Sequence, residues 1–170
     1  MDDKITIKQI KDFQIAWFFN LVRNIYLTSE FMSDDFDRKF QGKKQFDEYY
    51  SNMLRHPGSF LLGVFSDQGP AGYLSVEVNP ATKLSHAAQM NMGIIETYRG
   101  KGFGRQLVKV AMEKAKSEGI IEIIYLMVRA DHYAAIKLYE ASGFDELARL
   151  EKDTKIGSEY FDGILMRKFV

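Results

Sequence analysis

The sequence predicts a layered α/β domain in which helices pack on a mixed sheet, and three observations carry that reading. Short apolar runs rich in branched residues alternate with longer stretches whose apolar residues recur every three or four positions. Glycine or proline punctuates many of the joins between them. The 170 residues are 46% hydrophobic and 14% aromatic, ample for one packed core, and no repeat, low-complexity tract or linker divides them. Residues 1–170 are therefore read as a single domain.

The elements follow in order. "KITIKQI" alternates Ile5, Ile7 and Ile10 against polar neighbours for most of its length, which predicts a short strand facing a core on one side. Asp12 is read as a helix N-cap. Beyond it Phe13, Ala16, Trp17, Leu21 and Ile25 recur at helical spacing and predict an amphipathic helix to about Leu27. "TSEFMSDDFDRKFQGKKQ" is polar and charged with interspersed aromatics, a loop or a short broken helix. "QFDEYYSNMLRH" is helical again until Pro57 and Gly58 close it. "SFLLGVFSD" and "AGYLSVEVN", joined by "QGP", read as a strand pair, and "HAAQMNMGII" as a third strand. "GFGRQLVKVAMEKAKSEG" places Leu107, Val108, Ala111, Met112 and Ala115 on one helical face and stops at Gly119. "IIEIIYLMV" reads as a buried strand and "HYAAIKLYEAS" as a helix ending at Gly143. "FDELARLEKD" and "EYFDGILMRKFV" finish as two strands turning around Gly157.

The 23 basic residues cancel the 23 acidic ones, so no overall field argues for nucleic acid or an anionic membrane as a partner. The chain has no cysteine, which removes disulfides and thiolate chemistry together. His56, His86 and His132 are scattered without ligand spacing, so no metal site is expected. "MDDKITIKQI" lacks the basic start and apolar run of an export signal, and no apolar stretch is long enough to span a bilayer. A cytoplasmic protein is expected. Trp17, Phe18 and Phe19 make the first helix apolar on more than one side, which leaves room for a homodimer contact as well as for burial within one copy.

The most telling stretch is "ETYRGKGFGRQL", residues 96–107. A strand that runs into a glycine-rich turn and then a helix presents unpaired backbone N–H groups at the positive end of the helix. Arg99, Lys101 and Arg105 add cations to that turn, so a phosphate or pyrophosphate is the natural guest. A turn that merely caps its helix is the alternative. Arg105-Gln106 follows Gly104 where a P-loop needs Lys and then Ser or Thr, and the glycines lack the dinucleotide fingerprint's spacing.

"YRGKGFG" resembles the Arg/Gln-x-x-Gly-x-Gly/Ala signature of the GCN5-related N-acetyltransferases (GNAT), with Arg99, Gly102 and Gly104 at its defining positions. "HYAAIKLYEASGF" is similar to the family's second element, through Ala135-Ile136, Leu138-Tyr139 and Gly143-Phe144. The resemblance implies a strongly twisted mixed sheet with helices on both faces and two splayed central strands, with acetyl-CoA in the wedge between them. It implies further that the backbone of Met92, Gly93 and Ile94 pairs with the pantetheine arm. The loop of Gly100, Lys101, Gly102, Phe103, Gly104 and Arg105, with Arg99, then takes the pyrophosphate. His132 stands where many relatives have an asparagine that touches the cofactor.

The reaction so implied is direct transfer of an acetyl group, in a ternary complex, to a primary amine of a small molecule such as an amino acid or polyamine. Two other readings stand beside it: a non-catalytic CoA-binding module of the same fold, and a protein N-terminal acetyltransferase acting on a peptide amine. Acyl transfer needs a neutral amine, a polarised carbonyl and a proton for the departing thiolate. By resemblance Tyr139 supplies the proton, its phenol having an unperturbed pKa of about 10, and the Ile94 N–H polarises the carbonyl. The alternative for Tyr139 is a core aromatic. "IIYLMVRADH" is similar to ribosomal-protein N-terminal acetyltransferases, which carry a glutamate base here, but the aligned residue is Met127 and a thioether accepts no proton. The base is then sought in Glu77 first, with His86 and Asn91 behind it; Glu77 is equally readable as an outward charge on an alternating strand. Asp34 and Asp35 are candidate contacts for a cationic amine. Tyr160 and Asp162 either border the acceptor or brace the final hairpin.

Overall fold

The computed structural model describes residues 4–12 and 15–170. Phe13 falls outside them, and with it the first turn of the predicted helix that Asp12 was to cap. Strands β1 (Thr6–Gln9), β2 (Phe60–Ser66), β3 (Gly69–Val78), β4 (Ala87–Ile94), β5 (Ile123–Arg129), β6 (Asp145–Ile156) and β7 (Glu159–Phe169) form one sheet in the order β1-β2-β3-β4-β5-β7-β6. Only the β4–β5 pair is parallel. The helices are α1 (Ile15–Thr28), α2 (Phe36–Lys39), α3 (Lys43–Arg55), α4 (Phe103–Glu118) and α5 (Tyr133–Ala141). The predicted order of elements is the observed one, and the stretch left between a loop and a broken helix contains the short α2.

Both faces of the sheet are covered. On one, Leu74, Val76, Ala88, Met90, Ile124 and Leu126 pack against Leu107, Val108, Ala111 and Ala115 of α4 and Tyr139 of α5. On the other, Leu61 and Tyr73 meet α1 and α3 through Phe18, Val22, Ile25, Phe46 and Tyr50. At about 25 cal/mol per Å² of apolar surface withdrawn from water, each such face is a major contribution to folding. The buried stripe of α1 runs through Ile15, Phe18, Leu21, Val22 and Ile25. Ala16, expected on that stripe, is exposed, because every residue near the start of this helix is apolar and the spacing alone does not choose between faces. Trp17 packs on Phe65, and Phe19 on Phe36 and Phe46, so the aromatic run is used within the chain.

Two features of the sheet position a site. The first is that β4 and β5 pair only at Ala87–Ile123, Ala88–Ile124 and Gln89–Tyr125 and then part. Beyond Gln89, β4 stays on β3 while β5 stays on β7, leaving a wedge in the middle of the sheet. The second is an irregularity in β6 between Leu150 and Thr154, with Lys152 at φ 54°, which lays Asp153 over Gly163 so closely that a Cβ there would lie 2.6 Å from Asp153 Oδ2.

Candidate active site

The hydrogen-bonding phase of the β3–β4 ladder decides what the wedge offers. Ile95 N–H bonds Ala71 C=O and Asn79 N–H bonds Ala87 C=O, so the odd-numbered residues of β4 exchange their bonds with β3. The peptide groups of Met90, Met92 and Ile94 therefore point into the wedge. Such groups can receive an extended ligand as a strand receives its neighbour. Arg99 Nε already donates to Ile94 C=O at 3.1 Å. Gly93 has a different part from the one its neighbours share: its peptide groups face Tyr73, and its missing side chain admits α1. A Cβ at Gly93 would lie 2.6 Å from Ile25 Cγ2 and 3.0 Å from Tyr73 Cε1.

At the end of the wedge the chain turns through residues 96–102 into α4. Gly100 and Gly102 adopt φ of 74° and 85°, values that disfavour any side chain, and a Cβ on either would meet nothing within 4 Å. The loop is thus shaped by backbone conformation and opens onto free space, with the positive end of a helix of 16 residues behind it. Gln106 N–H is bonded back to Gly102 C=O. The N–H groups before it in the first turn have no carbonyl of their own helix to reach. Gly104 is a close-approach position, since a Cβ would lie 3.2 Å from Leu138 Cδ2 and 3.4 Å from Met92 Cε, which draws α4, α5 and β4 together around the wedge.

One cavity of about 530 Å³ runs from this loop through the wedge to the opposite face of the sheet. That volume is in the range of small-molecule sites. Met92, Gly93, Ile94, Arg99, Gly100, Gly102, Phe103, Gly104, Arg105, His132 and Tyr139 all line it. Lys101 does not; its ammonium lies 5.5 Å from the centre of the Tyr98 ring. Tyr139 is 8% exposed, and burial pushes its phenol up to about 12. It stays protonated at neutral pH. Phe144, edge-on at 5.9 Å, fixes its ring. His132 stacks on Phe31 with centroids 3.9 Å apart; burial first, then the nearby Arg99 charge, holds its imidazole below the ordinary histidine value, so it is neutral at neutral pH.

The base candidates separate. Glu77 does not line the cavity: it stands behind Tyr49, whose hydroxyl donates to Glu77 Oε2 at 2.9 Å and whose ring does line it. Burial, and then the Glu77 charge, raises the Tyr49 phenol far above its usual range. Asn91 lines the cavity beside its ladder partner Ser75, whereas His86 lies outside it and serves through its C=O, which accepts from Glu122 and Ile123. Met127, 41% exposed, lines the cavity with no basic atom. Asp34 and Asp35 are outside it at the start of α2. Tyr160 is exposed under Lys152 and Lys155, and Asp162 accepts from Arg149 Nε and Lys152 N–H, so both brace the hairpin.

Several lining residues escape sequence reading. Tyr26, Tyr49, Tyr50 and Tyr73 make a phenol-rich wall from α1, α3 and β3. For Tyr73 the one signal was the alternation that puts it with Ser75 and Glu77 on one face of β3; the three helical tyrosines gave none. Arg129, at the end of β5, is buried between the rings of Phe31 and Phe161, 4.6 and 4.1 Å from their centres. Its fork grips both oxygens of Asp131 at 2.7 and 2.6 Å, and its remaining nitrogen donates to Glu30 C=O at 2.8 Å. That cluster pins the loop after α1 to the start of α5.

A wedge in a mixed sheet that ends on a glycine loop and a helix N-terminus matches known proteins. The family model described as "Acetyltransferase (GNAT) family" matches residues 21–144, and the chain belongs to that family. The uncharacterized N-acetyltransferase YycN of Bacillus subtilis is 30% identical over 111 residues, covering 65% of this chain and 70% of that protein. The spermidine N(1)-acetyltransferase of Vibrio cholerae is 24% identical over 95% of this chain and 91% of its own length. In fold, the crystal structure of a GNAT-family acetyltransferase from Streptococcus pneumoniae superposes with a TM-score of 0.90 at 21% identity, over 98% of this chain and all of that one (100%). The chain is an N-acetyltransferase. Among the described residues no helix is long and apolar enough to cross a membrane, and no cluster of residues forms a metal site.

Proposed function

We propose that this chain, as one domain over residues 1–170, moves the acetyl group of acetyl-CoA directly to a primary amine of a small molecule, an amino acid or a polyamine, while both substrates are bound. The observation that carries this reading is the single cavity shared by the glycine loop, Tyr139 and the phenol-rich wall. The peptide groups of Met92 and Ile94, the amides from Gly100 to Arg105, and Arg99 and Arg105 hold the coenzyme, which supplies the activated acetyl thioester. The Ile94 N–H is the donor to the thioester carbonyl. Tyr139 gives its proton to the leaving sulfur and takes back the second proton of the amine nitrogen as the amide forms, consistent with a phenol that burial keeps protonated. The acceptor ammonium loses its proton to the Tyr49 oxygen as the Tyr49 proton passes to Glu77, so Glu77 works through Tyr49.

The test combines melting and kinetics. Acetyl-CoA and CoA should raise Tm while ATP and NAD do not, because a ligand selective for the native state stabilises it. Initial rates against both substrates should give intersecting double-reciprocal lines. Parallel lines would point to a covalent acetyl-enzyme and sink direct transfer, and absence of any CoA-specific rise in Tm would sink the site.

A further inference from the structure

The charges that line the cavity are unevenly placed. Arg99 and Arg105 belong to the glycine loop, and Arg129 is committed to Asp131 and Glu30. Lys39 is the cation left on the phenol-rich side. It closes α2, and its ammonium donates to the Tyr26 hydroxyl at 3.0 Å while lying 5.5 to 5.9 Å from the ring centres of Tyr26, Phe40 and Tyr49. Its hydrogen bond goes to that hydroxyl and to no carboxylate among the described residues. Three rings thus hold the charge in place without neutralising it. Because Tyr26 accepts from Lys39, its own O–H remains to donate, and the two groups together make a two-point site for a carboxylate. Asp153 is the one acidic side chain among the lining residues, and it enters from the β6 irregularity, beyond the opposite side of the wedge.

We propose that Lys39, with Tyr26, selects acceptors that carry a carboxylate near the amine, so that the substrate class is amino acids and not polyamines. The inference rests on the transferase reading above. A polyamine brings several positive charges toward the Lys39 ammonium, whereas an amino acid brings the opposite charge to it and leaves its amine to reach the wedge. Lys39 is exposed where it meets Tyr26, so water screens both effects and they act as a bias between substrates.

The experiment compares kcat/KM for a panel of α-amino acids, the matching amino-acid amides and spermidine, in the wild type, Lys39→Gln, Lys39→Glu and Lys39→Arg. An exposed charge pair corresponds to a factor of roughly two to five, so the wild type should favour acids over amides by about that much. The ratio should fall to near unity in Lys39→Gln, be kept in Lys39→Arg and turn toward spermidine in Lys39→Glu. Because each protein is judged by a ratio of substrates, a general loss of folded enzyme cancels. Amides or spermidine preferred by the wild type, or an acid preference unchanged in Lys39→Gln, would overturn the inference and leave the transferase reading standing. No transfer to any amine, with acetyl-CoA still raising Tm, would overturn both.

Discussion

The imidazole of His132 lies flat on the ring of Phe31, centroids 3.9 Å apart and planes 19° from parallel. One residue opens α5, the other belongs to the loop after α1, and both line the cavity. Arg129 stacks on the same Phe31 ring. Phe31→Ala therefore removes two ring contacts at once. The expected result is a loss of about 1–3 kcal/mol in urea unfolding, smaller than for a fully buried phenylalanine, together with a rise in KM for both substrates.

Tyr139→Phe separates chemistry from packing. The ring and its contact with Phe144 persist, so Tm should move by less than about 2 °C, while kcat falls by roughly 10²–10³ and KM for acetyl-CoA changes little. Because burial raises the phenol to about 12, deprotonation of Tyr139 should produce no loss of wild-type kcat below about pH 10. An alkaline limb that moves in Tyr139→Phe would contradict this assignment.

The Arg129–Asp131 fork makes stability sensitive to acid. The Arg129 guanidinium holds the Asp131 carboxyl below its usual range. The folded pKa is the lower one, so the contribution is present in full above the unfolded aspartate value and is lost as pH falls through the folded one. Asp131→Asn should lower Tm at pH 7 and flatten the slope of Tm on the acid side, and Arg129→Ala should lose about 1.5–3 kcal/mol at neutral pH. A parallel acid slope in Asp131→Asn would remove the pair from this role.

Gly93→Ala should push α1 away from the sheet, because its Cβ would meet Ile25 Cγ2 at 2.6 Å. A cost of about 1–3 kcal/mol is expected. The contact is tested by a double-mutant cycle: Ile25→Ala should cost less in the Gly93→Ala background than in the wild type. Additive costs would mean that the two positions do not compete for the same space.

The parts legible in the sequence were those whose determinants are neighbours in the chain. A strand, a glycine turn and a helix N-terminus are contiguous over residues 87–118, so the anion loop can be read from local chemistry, as can Gly119, which caps α4 with φ 65°. The splay of β4 from β5 became readable only through family resemblance, since nothing in either strand's composition says where their pairing stops. The phenol-rich wall was not readable. Its tyrosines come from α1, α3 and β3, and each satisfies the same apolar pattern as a core residue. Lys39 looked like one more charge in a polar loop, and Arg129 like the end of a strand. Glu77 was sought first as the base, with an outward charge as its alternative; it stands off the cavity behind Tyr49, whose ring arrives from a helix more than twenty residues earlier in the chain.

The wedge also bears on how this protein avoids sticking to itself. An unpaired run of strand peptide groups is a template for another chain's strand, and many sheets carry such runs on their outer rims. Here Met90, Met92 and Ile94 present one in the interior of the sheet, flanked by α4 and α5, where β4 and β5 cease to pair beyond Gln89. An open run of strand peptide groups is thereby kept off the rims of the sheet, formed by β1 and β6, where the strands of two copies could pair.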